Sequence, residues 1–419
     1  MSPHMGRAWT IRKRAVCGLL LVCCCFSWLI VHFNQTGPQT SKYDEGRSVD
    51  KDGGGKGLTG ERTNEDINRQ MDTLQWSVNV SSRRSDEVQH IIFIKVHRAA
   101  STTLFNMLIR FALSRDLHVM FPAGDKDHLS ENKAVLSPII PHPPSPPFLF
   151  DILCNHVVFR EHQVRPWFPA DTKLITILRR PWDQVVSAFN YYRQVWEVPY
   201  LLCAPNVKEF LLKRPRFEPV SPLSSFTNNR MSLDLGLPPD QLTNSSHVPA
   251  FLDRLQDTFH LVLIAEHFDE SLVLLRRRLG WTMKDIVYIK LNAHDKNTTA
   301  IDENSDPKLK EAFNRFNHFD VAVYDHFIRL FVQEVGKEGP EFFHELRAFA
   351  AVERDVRDFC SKSSSSADVL RVGDTVWNEA FTVETGECIV LTMDEVTLHS
   401  LAKARQLSAL LTTHDTGQV

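Results

Sequence analysis

The chain has 419 residues, 43% hydrophobic and 24% charged, a globular composition long enough for one large domain or two smaller ones. The formal net charge of −3 argues against a protein that coats nucleic acid, so any basic site has to be local.

Residues 15–33 carry no formal charge. At ~1.5 Å per residue they make a helix of roughly 28 Å, enough to cross a hydrocarbon core. Arg7, Arg12, Lys13 and Arg14 precede this run, and Lys42 is the first basic residue after it. The positive-inside rule then places 1–14 in the cytosol as a short tail and the rest of the chain across the membrane, behind a single signal anchor. A cleaved signal peptide is the alternative, disfavoured by the length of the run and the lack of a small-residue cleavage site. Residues 34–88 are polar, with Gly53-Gly54-Gly55, and read as a flexible stem. Cys17, Cys23, Cys24 and Cys25 fall in the anchor; Cys154, Cys203, Cys360 and Cys388 lie beyond it, where an oxidising compartment allows three pairings. None has C-x-x-C spacing, so no zinc site is expected. Sequons stand at Asn34, Asn79, Asn244 and Asn297, all on the same side.

The globular body begins near Gln89. Ile91 to Ile94 read as a buried strand, and Leu104, Met107, Leu108 and Phe111 as the apolar stripe of a helix. Between them lies the turn Lys95-Val96-His97-Arg98-Ala99-Ala100-Ser101-Thr102-Thr103. A helix N-terminus has backbone N–H groups without internal partners and a dipole that favours negative charge. Cations at Lys95 and Arg98 and hydroxyls at Ser101, Thr102 and Thr103 make the turn an anion-binding candidate. The G-x-x-x-x-G-K-[ST] pattern of nucleotide triphosphatases is absent. Pro138 to Pro147 reads as an exposed, proline-rich insertion. Phe148 to Cys154 reads as a strand, followed by Asn155-His156. Lys173 to Leu178 is a clear strand ending in Arg179-Arg180-Pro181, with Pro181 opening a helix. Arg179 and Ser187, about two turns into that helix, can converge on one phosphate. His260 to Ile264 is another strand; Asp269 is expected to cap a helix from Glu270 to Leu279, with Arg276 and Arg277 outward. Residues 285–291 are a possible further strand, and Lys308 to about Val335 is helical. Strands alternating with helices imply an α/β fold with a parallel sheet covered on both faces. The Ser363 to Ser366 run marks a linker before a C-terminal extension, 361–419.

Two anion sites in one sheet suit a nucleotide with phosphate at both ends of its ribose, as in 3′-phosphoadenosine 5′-phosphosulfate (PAPS). The 95–104 loop, Cys154-Asn155-His156, Leu178 to Pro181 with Ser187 to Tyr192, Ile264 to Leu275 and Tyr288 to Asn292 together resemble the galactose-3-O-sulfotransferase family, Golgi type II membrane enzymes that include galactosylceramide (cerebroside) sulfotransferases. The resemblance runs from about Val88 to about Cys360 and implies a P-loop-like sheet flanked by helices, forming a lumenal sulfotransferase domain at 89–360. It implies PAPS as co-substrate without a metal, and a galactose-terminated glycolipid or glycan as acceptor. It further implies that Arg98, Ala99, Ala100, Ser101, Thr102 and Thr103 hold the 5′-phosphosulfate and that Arg179 and Ser187 hold the 3′-phosphate. His156 would be the general base, with Lys95 and Arg98 stabilising the leaving phosphate; His97 and His294 are weaker candidates. Within the resemblance, Val96, Arg98 and Ala99 stand where the family loop carries Thr, Lys and Thr, and His294 where it tends to have Arg. Two other readings stand beside it: transfer to another sugar position, as in a glycosaminoglycan, and a relative that binds nucleotide or glycan without turnover. Acceptor contacts are expected from Pro199 to Leu242 and from the proline-rich insertion.

Overall fold

The computed structural model describes residues 87–415, apart from 125, 127, 131–135, 137, 140–148, 291–301, 364 and 366. The expected anchor at 15–33, the stem, His294, the sequons at Asn34, Asn79 and Asn297 and most of the proline-rich insertion lie outside the described residues. Among the described residues no helix is long and apolar enough to cross a membrane.

Four strands form a parallel sheet in the order β2-β1-β3-β4: β1 Ile91–Ile94, β2 Ile152–Leu153, β3 Lys173–Leu178 and β4 Leu261–Ile264. Every residue of β1 is fully buried, and five of the six in β3 are buried. Side chains alternate between faces along a strand, so burial at consecutive positions means cover on both faces. α1 (Ser101–Arg115) follows β1, and α2 (Pro181–Gln194) follows β3 with Pro181 in its first turn, as expected. α3 (Arg230–Asp234) and α4 (Val248–Thr258) precede β4. Beyond it come α5 (Phe268–Leu279), α6 (Pro307–Phe316), α7 (His318–Lys337) and α8 (Pro340–Lys362).

Several expectations are corrected. The strand expected over 148–154 shrinks to Ile152–Leu153. Phe150 N–H turns to Trp167 O and Asp151 N–H to His118 O, so before Ile152 the link to β1 is the Asp151 carbonyl, which accepts from Ile91 N–H. Asp269 does not cap α5, which starts one residue earlier; its carboxylate accepts from the Tyr288 hydroxyl at 2.8 Å instead. Arg276 and Arg277 do not point outward: both reach the buried Glu345 of α8 and tie α5 to it. Residues 283–286 are a helical turn rather than a strand, because Thr282 and Asp285 satisfy each other's backbone N–H groups in a capping box. The single helix expected over 308–335 is two. It breaks at the fully buried Asn317, whose side chain bonds Thr227 O and Arg214.

The C-terminal extension is structured. An antiparallel hairpin of β5 (Val369–Val372) and β6 (Phe381–Glu384) leads into α9 (Thr385–Thr392) and α10 (Glu395–Asp415). Of the cysteine pairings left open by the sequence, Cys360–Cys388 forms, tying the end of α8 to α9, while Cys154 is a buried thiol. The bridge spans 28 residues, which on the chain-entropy account is worth roughly 3–4 kcal/mol. Cys388→Ser is therefore expected to lower Tm by several degrees under oxidising conditions and to have no further effect in excess reductant. Equal melting of the two proteins without reductant would contradict this.

Candidate active site

After β1 the chain crosses to β2 on one side of it and only then to β3 on the other. Such a reversal opens a crevice beyond the carboxyl ends of the strands on either side of the switch. The loop 95–100 leaves β1 there, and Arg179 leaves β3 beside it.

The loop is strained. Arg98 and Ala100 both have φ of 60°, a left-handed conformation that costs roughly 1–2 kcal/mol for each non-glycine residue. Surrounding bonds hold it. Ser101 Oγ donates to Val96 O at 2.8 Å, Gln184 Nε2 to His97 O at 3.1 Å, and Arg179 Nη1 to Arg98 O at 3.0 Å. The His97 N–H donates to Asp234 Oδ2 at 3.0 Å. Ala100 occupies the N-cap of α1 and no side chain caps the helix, which leaves its first N–H groups for an anion.

Arg98 joins the two anion sites expected from the sequence. Its Nε donates to Ser187 Oγ at 3.2 Å, its guanidinium lies 4.0 Å from the Tyr191 ring centroid, and its carbonyl receives Arg179. The loop, Arg179 and Ser187 thus form one contiguous cationic surface. Burial lowers the pKa of both Arg98 and Arg179 from the ordinary arginine value; both stay charged near neutrality. Two of the three loop hydroxyls donate within the protein: Ser101 to Val96 O, and Thr102 to Glu395 Oε2 at 2.8 Å. Lys95 is 1% exposed and ion-paired with the same Glu395. Its charge therefore lies under the loop and not on the open surface.

His156 follows β2. Its Nδ1 lies 3.2 Å from Lys95 O. A carbonyl only accepts, so Nδ1 carries the hydrogen and Nε2 keeps the lone pair that a general base needs. Burial, and then the neighbouring His97, Lys95 and Arg230, hold the His156 pKa well below the usual histidine value. His97 stacks on this ring at 4.0 Å between centroids. Asp234 Oδ2 fixes His97 at Nδ1 at 2.7 Å, and its Oδ1 pairs with Arg230 at 2.7 Å. Burial pushes the Asp234 carboxyl up, but Arg230 and His97 outweigh it and hold the pKa below the ordinary value.

Sequence reasoning missed Asp234, Arg230, Gln184 and Glu395. Asp234 carried a signal, a lone carboxylate inside the largely apolar stretch Met231 to Leu237, which also holds Gly236. Gly236 has φ of 88°, and a Cβ there would meet Phe159 O at 2.4 Å. Only glycine lets this segment close onto the chain after β2, where Phe159 N–H donates to Asp234 O at 2.9 Å. The Pro199 to Leu242 region thus reaches the site through α3. Glu395 carried no local signal.

The depressed His156 pKa sets a pH expectation. A histidine neutral when folded stabilises the protein above its unfolded pKa of about 6.5, and that contribution is lost as pH falls through the folded value. Wild type is therefore expected to lose stability below about pH 6.5 more steeply than His156→Gln in parallel thermal melts. Superimposable pH–Tm curves would contradict the assignment.

Among the described residues no group of three or more His, Cys, Asp or Glu side chains could hold a metal ion. A family model described as galactose-3-O-sulfotransferase matches residues 7–374. Galactose-3-O-sulfotransferase 2 of Homo sapiens is 35% identical over 277 residues, 65% of this chain and 68% of that protein. Galactose-3-O-sulfotransferase 3 of Mus musculus is 33% identical over 276 residues, 64% of this chain and 60% of that protein. Galactosylceramide sulfotransferase of Homo sapiens is 31% identical over 303 residues, 71% of this chain and 70% of that protein.

Proposed function

Because this chain belongs to the galactose-3-O-sulfotransferase family, we propose that it transfers a sulfuryl group from PAPS to the 3-hydroxyl of a β-galactose residue on a glycolipid or glycan. The observation that carries this reading is the meeting of Arg98, Arg179 and Ser187 at the uncapped start of α1, with His156 bonded to the same loop. The donor set fits the nucleotide. The α1 N–H groups and Arg98 take the 5′-phosphosulfate, and Arg179 with Ser187 takes the 3′-phosphate.

His156 Nε2 accepts the proton of the galactose hydroxyl as its oxygen attacks sulfur. The bond between sulfur and the bridging phosphate oxygen breaks, and adenosine 3′,5′-bisphosphate leaves. Charge that builds on the leaving oxygen is stabilised by Arg98 and the loop N–H groups. His97, held by Asp234, keeps the His156 ring in place by stacking. The reading includes a Golgi membrane location, type II, with the body lumenal. It is supported by the uncharged 15–33 run behind its basic flank, by the exposed sequon at Asn244 and by the Cys360–Cys388 bridge, which suits an oxidising compartment.

The test is to incubate the full-length protein in detergent with radiolabelled PAPS and galactosylceramide, lactosylceramide, N-acetyllactosamine, an O-glycan disaccharide and a glycosaminoglycan. Label is expected on at least one β-galactoside. Label confined to a glycosaminoglycan acceptor, or nucleotide binding without any transfer, would overturn the reading.

A further inference from the structure

We propose that Glu395, from the C-terminal extension, is a positioning residue of the donor site, clamping the two ends of the anion-binding loop. Its carboxylate pairs with Lys95, the first residue after β1, and accepts from the hydroxyl of Thr102 in the first turn of α1. The loop 96–100 with its two left-handed non-glycine residues lies between these points. One carboxylate therefore fixes the separation of strand end and helix start, and with it the direction of the N–H groups that face the anion.

Other features agree. Lys95 is 1% exposed, so it requires a counter-charge, and Glu395 at 27% exposed reaches in from the edge to supply it. Asn106 Nδ2 of α1 donates to Val390 O of α9 at 2.7 Å, and Gln406 of α10 bonds both backbone groups of Val119, its Oε1 accepting from the N–H at 2.9 Å and its Nε2 donating to the carbonyl at 3.0 Å. The extension is thus docked along α1 and not merely hinged at Glu395. The Cys360–Cys388 bridge anchors its start. Glu395 lies beyond the 7–374 stretch that the family model matches, yet it reaches the centre of the site. The extension becomes part of the catalytic unit.

This inference rests on the donor-site reading above. The experiment measures the affinity of the full-length protein for adenosine 3′,5′-bisphosphate by calorimetry, and donor and acceptor KM separately, for wild type, Glu395→Gln and Glu395→Asp. Aspartate keeps the charge that Lys95 needs but is one methylene too short to span both partners, so it separates folding from positioning. Both variants are expected to raise the nucleotide Kd and donor KM about tenfold or more, leave acceptor KM within about twofold, and, for Glu395→Asp, keep Tm close to wild type. Unchanged nucleotide affinity in a folded Glu395→Asp protein would reduce the pair to a stabilising contact and overturn the proposal. Tighter binding would overturn it too, since the carboxylate would then compete with the donor. If wild type itself fails to bind the nucleotide, the donor-site reading falls first.

Discussion

Replacing His156 by glutamine lowers kcat by about 10²–10⁴-fold, the range for losing a positioned proton acceptor, while the affinity for adenosine 3′,5′-bisphosphate changes less than about twofold. The split follows from position. His156 meets the loop at the Lys95 carbonyl and at the His97 ring, whereas Arg98, Arg179 and Ser187 bond one another. The hydrogen on Nδ1 fixes Nε2 as the basic atom, and the low pKa keeps it neutral and base-competent at neutral pH. The acid limb of kcat/KM in wild type is accordingly expected below the usual histidine range. Measured kcat within a few-fold of wild type in a folded His156→Gln protein would remove His156 from the reaction and turn attention to the stacked His97. Loss of nucleotide binding in parallel with kcat would mean the ring props up the loop and does not accept the proton.

Arg98→Ala has the second large effect, about 10²–10³-fold in kcat/KM for the donor, comparable to loss of one group that stabilises developing negative charge. Arg98 is the cation common to both halves of the proposed nucleotide site: it lies in the loop, bonds Ser187 and stacks on Tyr191. Removing it deletes charge and disconnects Ser187 at once. Arg98→Lys restores the charge but not the planar fork or the stacking, so it is expected to fall between wild type and alanine. Full recovery by lysine would show that charge alone matters and that the Ser187 and Tyr191 contacts are incidental. Steady-state kinetics with PAPS varied at saturating acceptor decides between them.

The legible parts of the fold were those with local signals. Four apolar residues at 91–94 followed by an i, i+3, i+4, i+7 stripe announced β1 and α1, and Lys173 to Leu178 with Pro181 announced β3 and α2. Both strands are followed by basic residues, and parallel pairing with a crossover reversal brings those ends together, so that Arg98 and Ser187, 89 residues apart and expected at separate anion sites, meet at 3.2 Å. Edge elements were overread: Phe148 to Cys154 is apolar enough for a longer strand, but its backbone turns to His118 and Trp167. The supporting shell was not legible. Glu395 is 300 residues from Lys95 and 293 from Thr102, and nothing near it in sequence distinguishes it from a solvated first-turn acid. The left-handed turns at Arg98 and Ala100 were equally hidden, because glycine, the residue that normally signals such backbone, is absent there.

The most direct measurement of the central claim compares sulfate transfer from labelled PAPS to a β-galactoside and to its 3-deoxy analogue, using the full-length protein and the acceptor class that accepts label best. The account predicts label on the galactoside and none on the 3-deoxy sugar, since the proposed acceptor oxygen is missing. Equal labelling of both sugars would contradict it, placing the sulfate on another hydroxyl.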